Sequence, residues 1–142
     1  MKIRIRRIDK SLPLPAYHTG GAVAFDLAAR ETTVIESHSI GFIPLNVAIQ
    51  IPEGHMVLLA PRSSTPKRGI FFANSVGIMD RDYCGNNDEY KAFVYNYTEA
   101  PVTIERGERI AQGIVLKTDA VEFEEVDDLG VPDRGGFGTT GL

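Results

Sequence analysis

A chain of 142 residues, 43% of them hydrophobic, fits one domain and is too apolar for general disorder. Fourteen glycines and eight prolines leave little room for long helices, and a formal net charge of −4 argues against a broad nucleic-acid-binding surface. No apolar run is long enough to cross a bilayer as a helix, so neither nucleic acid nor membrane is an expected partner. The lone cysteine, Cys84, cannot form an internal disulfide, and the N-terminal MKIRIRRIDK lacks the apolar core of a signal peptide. A cytoplasmic setting is expected, or the interior of a host cell if the source is a phage or virus.

In chain order, residues 2–8 alternate basic and apolar side chains, as a half-buried strand does. Thr19-Gly20-Gly21 marks a turn, and Asp26 then stands inside the apolar run AVAFDLAA, residues 22–29. Residues 40–51 and 55–60 read as strands on either side of Pro52-Glu53-Gly54. Strand-like runs recur at 89–97, 102–104, 109–117 and 121–126, separated by Gly85-Asn86-Asn87 and Arg106-Gly107-Glu108. No stretch predicts a helix longer than a turn or two. Many short strands with regular turns predict an all-β barrel or sandwich. The final nine residues, RGGFGTTGL, include four glycines and cannot bury enough to order themselves, so residues 134–142 are expected to be an arm on a domain of residues 1–133.

Several polar groups could carry chemistry. Asp80, in Gly77-Ile78-Met79-Asp80, offers a carboxylate that could activate water. Arg62, Ser63 and Ser64 follow a strand, and an Arg fork with Ser hydroxyls suits phosphate oxygens. Gln112 offers an amide donor on a strand, and an Asp within an apolar run, like Asp26, needs a partner or a metal-bound water. Phe137 could stack on a planar ring while Arg134 pairs with phosphate. Each motif alone also has an ordinary structural reading: a hairpin turn, a polar loop, a surface amide, a capping Asp. His18, His38 and His55 match no zinc or hydrolase spacing and read as surface or turn histidines.

Taken in order, the motifs resemble the trimeric dUTP diphosphatase family, whose five short motifs look like AVAFDLAA (22–29), PRSS (61–64), NSVGIMDRDYCG (74–85), GERIAQGIV (107–115) and RGGFGTTG (134–141). The resemblance implies a jelly-roll-like β-barrel protomer and a homotrimer. Each of its sites is built from more than one subunit, with the C-terminal arm closing over a neighbour's site. It implies hydrolysis of dUTP to dUMP and pyrophosphate, which limits uracil in DNA and supplies dUMP. Asp80 would activate the water. Arg62, Ser63, Ser64 and Gln112 would hold phosphate oxygens. Asn74 and the backbone from Gly77 to Met79 would read uracil in a hairpin, and Tyr83 would pack under the deoxyribose. Phe137 would stack on uracil and Arg134 would reach the outer phosphates. Mg²⁺ would ride on the triphosphate, with Asp26 as an outer-shell acceptor through water.

Two features depart from that pattern. The stretch from Gly85 to Asn96 is about three residues longer, with the extra length placed at a hairpin tip, Asn86 to Glu89. Arg134 and Phe137 also lie about two residues closer together, a shortfall of roughly 7 Å of extended chain. The alternatives are a dCTP deaminase-like enzyme and a non-catalytic nucleotide-binding regulatory protein on the same fold. A deaminase would need a Glu three residues before Asn96, where this chain has Phe93, and Glu89 lies too far back along the strand to substitute. An RNA-binding module with an RGG tail is disfavoured by the acidic balance.

Overall fold

A computed structural model describes residues 1–136, and the alternating pattern resolves there into eleven short strands. They are β1 (Arg4–Arg7), β2 (Phe25–Ala28), β3 (Thr33–Ile35), β4 (Ile40–Pro44), β5 (Val47–Gln50), β6 (His55–Pro61), β7 (Ile70–Phe72), β8 (Gly77–Met79), β9 (Lys91–Asn96), β10 (Val102–Ile104) and β11 (Arg109–Lys117). A single 3-10 turn, Thr65–Arg68, is the only helical element among the described residues. The strands form ladders in the orders β2-β11-β6-β8, β4-β9-β7, β1-β5 and β10-β3, with antiparallel pairing throughout. The all-β expectation holds, although the ladders do not join into one closed barrel sheet.

Inward-facing residues of these ladders share one core that includes Leu27, Ile35, Ile43, Leu59, Ile70 and Ile110. Burial of such side chains contributes roughly 1.5–3 kcal/mol each. Gly113 lets Phe25 lie flat against β11: a Cβ there would come within 2.5 Å of the Phe25 ring. Asn96 is buried at the end of β9 and fully used. Its Nδ2 donates to the carbonyls of Ile35, Glu36 and Ala100, while its Oδ1 accepts from the Thr98 N–H and hydroxyl.

Three expectations need correction. The run 40–51 is two strands, because Asn46 takes a left-handed turn (φ 68°) between β4 and β5. Residues 74–79 do not form a paired hairpin: β7 pairs with β9 and β8 with β6, so this turn carries the chain from one sheet to another. Residues 121–126 alternate as a strand would but pair with nothing in the described chain. Phe123 is 92% exposed there, with Val121 and Val126 beside it in the open. A strand forms only where a partner edge accepts its N–H and C=O groups, and residues 121–126 lie against none among the described residues.

Tyr90 is fully buried, and its hydroxyl has no hydrogen-bond partner among the described residues. Burial pushes its ionisation well above the ordinary tyrosine value. The unfolded chain therefore loses this proton first, so stability is full below about pH 10 and falls as pH rises beyond it. Tyr90→Phe is expected to leave stability at pH 7 within about 1 kcal/mol or higher and to flatten the alkaline decline. Urea titrations at pH 7 and pH 11 measure this; a variant that declines as steeply as the parent would remove Tyr90 as the cause.

Candidate active site

Asp26 lies on β2 between the buried Phe25 and Leu27, so strand alternation turns its carboxylate to the outer face. Across the ladder it faces Gln112 of β11, which in turn faces Ala60 of β6. The β11 register slips between Arg109 and Ala111, a β-bulge at Ile110. Ile110 and Ala111 are consequently both buried, and Arg109 and Gln112 flank them on the outer face with Asp26.

This row is an ion cluster. The Asp26 carboxylate, 12% exposed, accepts from Arg62 Nε at 2.9 Å and from Arg109 Nη1 at 3.1 Å. Arg62 Nη1 also donates to the Arg109 carbonyl (3.2 Å) and to Ser64 Oγ (3.4 Å). Gln112 Nε2 donates to the Pro61 carbonyl (2.9 Å), which fixes the point where β6 ends. Thr65 locks the loop from beneath: its hydroxyl donates to the Ile110 carbonyl (2.8 Å) and accepts from the Arg62 N–H (3.0 Å). Arg62, Ser64, Lys67, Arg68 and Arg109 line an open cleft of 450 Å³, with Glu108 the only carboxylate on its wall. Ser63 is exposed beside it. Such a cleft suits a polyanion by charge and by its array of N–H and hydroxyl donors.

The structure thus brings together Asp26, Arg62, Ser63, Ser64 and Gln112. The sequence reading missed three neighbours: Arg109, Thr65 and His18, whose Nε2 lies 3.5 Å from Asp26 Oδ2. Arg109 was visible as a strand Arg, but only the bulge aims it at Asp26. His18 precedes Asp26 by a loop, and no spacing rule connects them.

Asp80 is elsewhere. It follows Met79, which pairs with Val57 on β6, and it lines a separate groove with Ile78, Arg81, Glu53 and His55. Arg62 stands five residues beyond Val57, just past the end of β6, roughly 17 Å of extended chain away. Asn74 is exposed in the sheet-switching turn, where the Val76 N–H donates to its carbonyl (2.7 Å). β8 has a ladder partner on one side only, so its outer edge presents backbone groups. Tyr83 stands on the loop after Asp80 and is 38% exposed; its hydroxyl donates to the Glu89 carbonyl at 3.2 Å. Glu89 is not part of an exposed tip. The turn closes at Gly85–Asp88, where the Gly85 N–H donates to Asp88 Oδ2 (2.7 Å), and Glu89 turns inward. Arg134 is exposed and makes no hydrogen bond or ion pair among the described residues. Phe137 lies outside the described residues.

No group of three or more His, Cys, Asp or Glu side chains able to hold a metal occurs among the described residues. Both Asp26 oxygens already face guanidinium groups. These residues do not form a cation cage, but one acceptor beside a polyanion cleft fits an ion carried by phosphates and water.

An all-β protein with a phosphate-sized cationic cleft beside one end of a strand, and a separate groove lined by the exposed carboxylates of Asp80 and Glu53, is the class these features define. The family model described as dUTPase matches residues 10–141. The deoxyuridine 5'-triphosphate nucleotidohydrolase of Helicobacter pylori strain J99 is 36% identical over 145 residues, covering 100% of this chain and 98% of its own. The one from Dictyoglomus turgidum is 40% identical over 149 residues, with 100% and 99% covered. Among solved structures, the dUTPase from Streptococcus mutans superposes with a TM-score of 0.76 at 30% identity, covering 84% of this chain and 98% of that one. A Staphylococcus bacteriophage 80alpha dUTPase with dUpNHpp shares the fold, with a TM-score of 0.86 at 22% identity and 99% of each chain covered. The chain belongs to the dUTPase family.

Removing the carboxylate between two guanidinium groups leaves like charges adjacent and partly desolvated. Asp26→Ala is expected to cost roughly 1–3 kcal/mol of stability, reduced by the partial exposure of both arginines. Urea denaturation measures it; an unchanged midpoint would mean that solvent, not Asp26, balances the pair.

Proposed function

We propose that this chain hydrolyses dUTP to dUMP and pyrophosphate, and so limits uracil in DNA and supplies dUMP. Membership of the dUTPase family and the Arg62–Arg109 cleft carry this reading together. Arg62, Ser63, Ser64 and Gln112, with Arg109 beside them, hold the triphosphate oxygens. They stabilise the charge that builds as the bond to the leaving pyrophosphate breaks. Asp80 orients the attacking water and accepts its proton as the new bond to the α-phosphorus forms. Mg²⁺ is carried on the phosphates and neutralises part of their charge when bound. Asp26, which already holds the two arginines, would be the acceptor for water carried in with such an ion.

Asn74 and the open edge of β8, from Gly77 to Met79, read the uracil edge. Backbone groups discriminate well because a wrong base leaves them unpaired in a closed site. Tyr83 lies under the deoxyribose and leaves no room for a 2′-hydroxyl. Arg134 and Phe137, on the arm, close over phosphates and base respectively.

Asp80 follows Met79, opposite Val57, and five residues of extended chain, roughly 17 Å, separate Val57 from Arg62, so a water held by Asp80 is out of hydrogen-bond reach of a phosphate held by Arg62 on the same chain. The site is therefore shared between copies, which supports a homotrimer with cyclic symmetry. The exposed Val121, Phe123, Val126, Leu129 and Val131 support it too, since a neighbouring copy supplies the cover they lack. Deamination of dCTP is disfavoured by Phe93, which stacks on Phe42 at 4.7 Å and has no proton to exchange. A purely regulatory nucleotide binder has no use for a water activator at Asp80. A cytoplasmic or host-cell location fits a nucleotide-pool enzyme.

The test is pyrophosphate release from dUTP, dCTP, dTTP and UTP, with Mg²⁺ and with chelator, for the parent and Asp80→Asn. Rapid Mg²⁺-dependent release from dUTP alone is expected. Asp80→Asn should retain dUTP binding and lose at least about 100-fold in turnover. Parent-like turnover in that variant removes Asp80 from its role, and dUTP binding without release by the parent favours the regulatory reading.

A further inference from the structure

Glu89 is a buried carboxylate with no part in the chemistry described above. Its Oε1 accepts from Arg30 Nε and from the Asn46 backbone N–H, each at 2.8 Å. The Asn46 N–H points inward because that residue occupies the left-handed turn between β4 and β5. Arg30 is also paired with Glu31 at 3.1 Å. The main chain here is held as firmly: the Tyr90 N–H donates to the Val47 carbonyl (2.8 Å), and the Leu45 N–H donates to the Tyr90 carbonyl (2.9 Å).

Tyr83 rests on this pinned pair. Its hydroxyl donates to the Glu89 carbonyl at 3.2 Å, and its ring faces that of Tyr90, 6.4 Å away and inclined by 21°. Two contacts thus fix the ring, one at its tip and one on its face, and both come from residues 89 and 90.

We infer that Glu89 and Arg30 are positioning residues for Tyr83 and set the discrimination between deoxyribo- and ribonucleotides. The inference rests on the placement of Tyr83 under the deoxyribose. A 2′-hydroxyl differs from hydrogen by one heavy atom, so the ring excludes it only if held to within a fraction of that size. Without the Glu89 carboxylate, the Asn46 N–H and Arg30 lose their acceptor, and the Glu89 carbonyl that receives the Tyr83 hydroxyl loses the side-chain restraint beside it, while Tyr90 keeps its two main-chain bonds. The ring then shifts, and UTP gains access.

The experiment compares kcat/KM for dUTP and UTP in the parent, E89A, E89Q, Y83F, Y83A and the E89A/Y83F double variant. E89A and Y83F should each lower the dUTP-over-UTP ratio about tenfold, the scale of one well-placed hydrogen bond. E89Q, whose amide oxygen still accepts from both donors, should restore most of the ratio. The double variant should fall no further than the worse single one, because both changes release the same ring. A folded E89A with the parental ratio, or effects that multiply in the double variant, overturns the inference. If Y83A itself keeps the parental ratio, the ribose assignment fails and the inference with it. A collapsed ratio in Y83A with a parental ratio in E89A overturns the positioning role alone. Should E89A fail to fold, Y83F, altered only at a partly exposed hydroxyl, decides: a parental ratio there is equally contrary.

Discussion

The carboxylate of Asp26 between the guanidinium groups of Arg62 and Arg109 is the interaction on which the rest of the site depends. It joins β2, the end of β6 and the bulged start of β11 at one point. Two adjacent cations repel each other, and a part-buried anion between them lets both be held in place while their remaining N–H groups face the cleft. Thr65 and Gln112 complete the arrangement by fixing the backbone on which Arg62 sits. The cleft is consequently preorganised for a polyanion without reaching for it.

The second constraint is distance. β8 pairs with the middle of β6, and Asp80 follows Met79, opposite Val57, on the side of that pairing away from the arginine cluster. A sheet fixes that separation, since each strand residue advances the chain about 3.3 Å and no side chain bridges five of them. On the proposed reading, one chain would therefore carry two half-sites. The exposed apolar side chains of residues 121–131 support the proposed association independently.

Much of this was legible in the residues. Strands β10 and β11 coincide with the runs expected at 102–104 and 109–117, because each alternates and ends at a turn former. β3, β7 and β8 were not read as strands. Each has three residues, too few for alternation to register, and each is held by pairing rather than by propensity. The run at 121–126 has the pattern of a strand and no partner among the described residues, which marks the limit of any single-chain reading. The residues of the cationic cleft stand out by their chemistry. Their geometry does not, because the bulge at Ile110 that aims Arg109 depends on the β2 register. The sequence places Glu89 at a loop tip; its acceptor role depends on the left-handed Asn46, which no local rule ties to it.

The central claim is that catalysis requires Asp80 and Arg62 from different copies of the chain. The direct measurement is complementation: D80N and R62A proteins, each inactive, are unfolded together, refolded as a mixture and assayed for pyrophosphate release from dUTP. Random assortment places an intact Asp80 opposite an intact Arg62 in roughly one quarter of shared sites, so about a quarter of parental activity should return. If the mixture stays at the level of the separate variants, both residues act within one chain and the shared-site account is wrong.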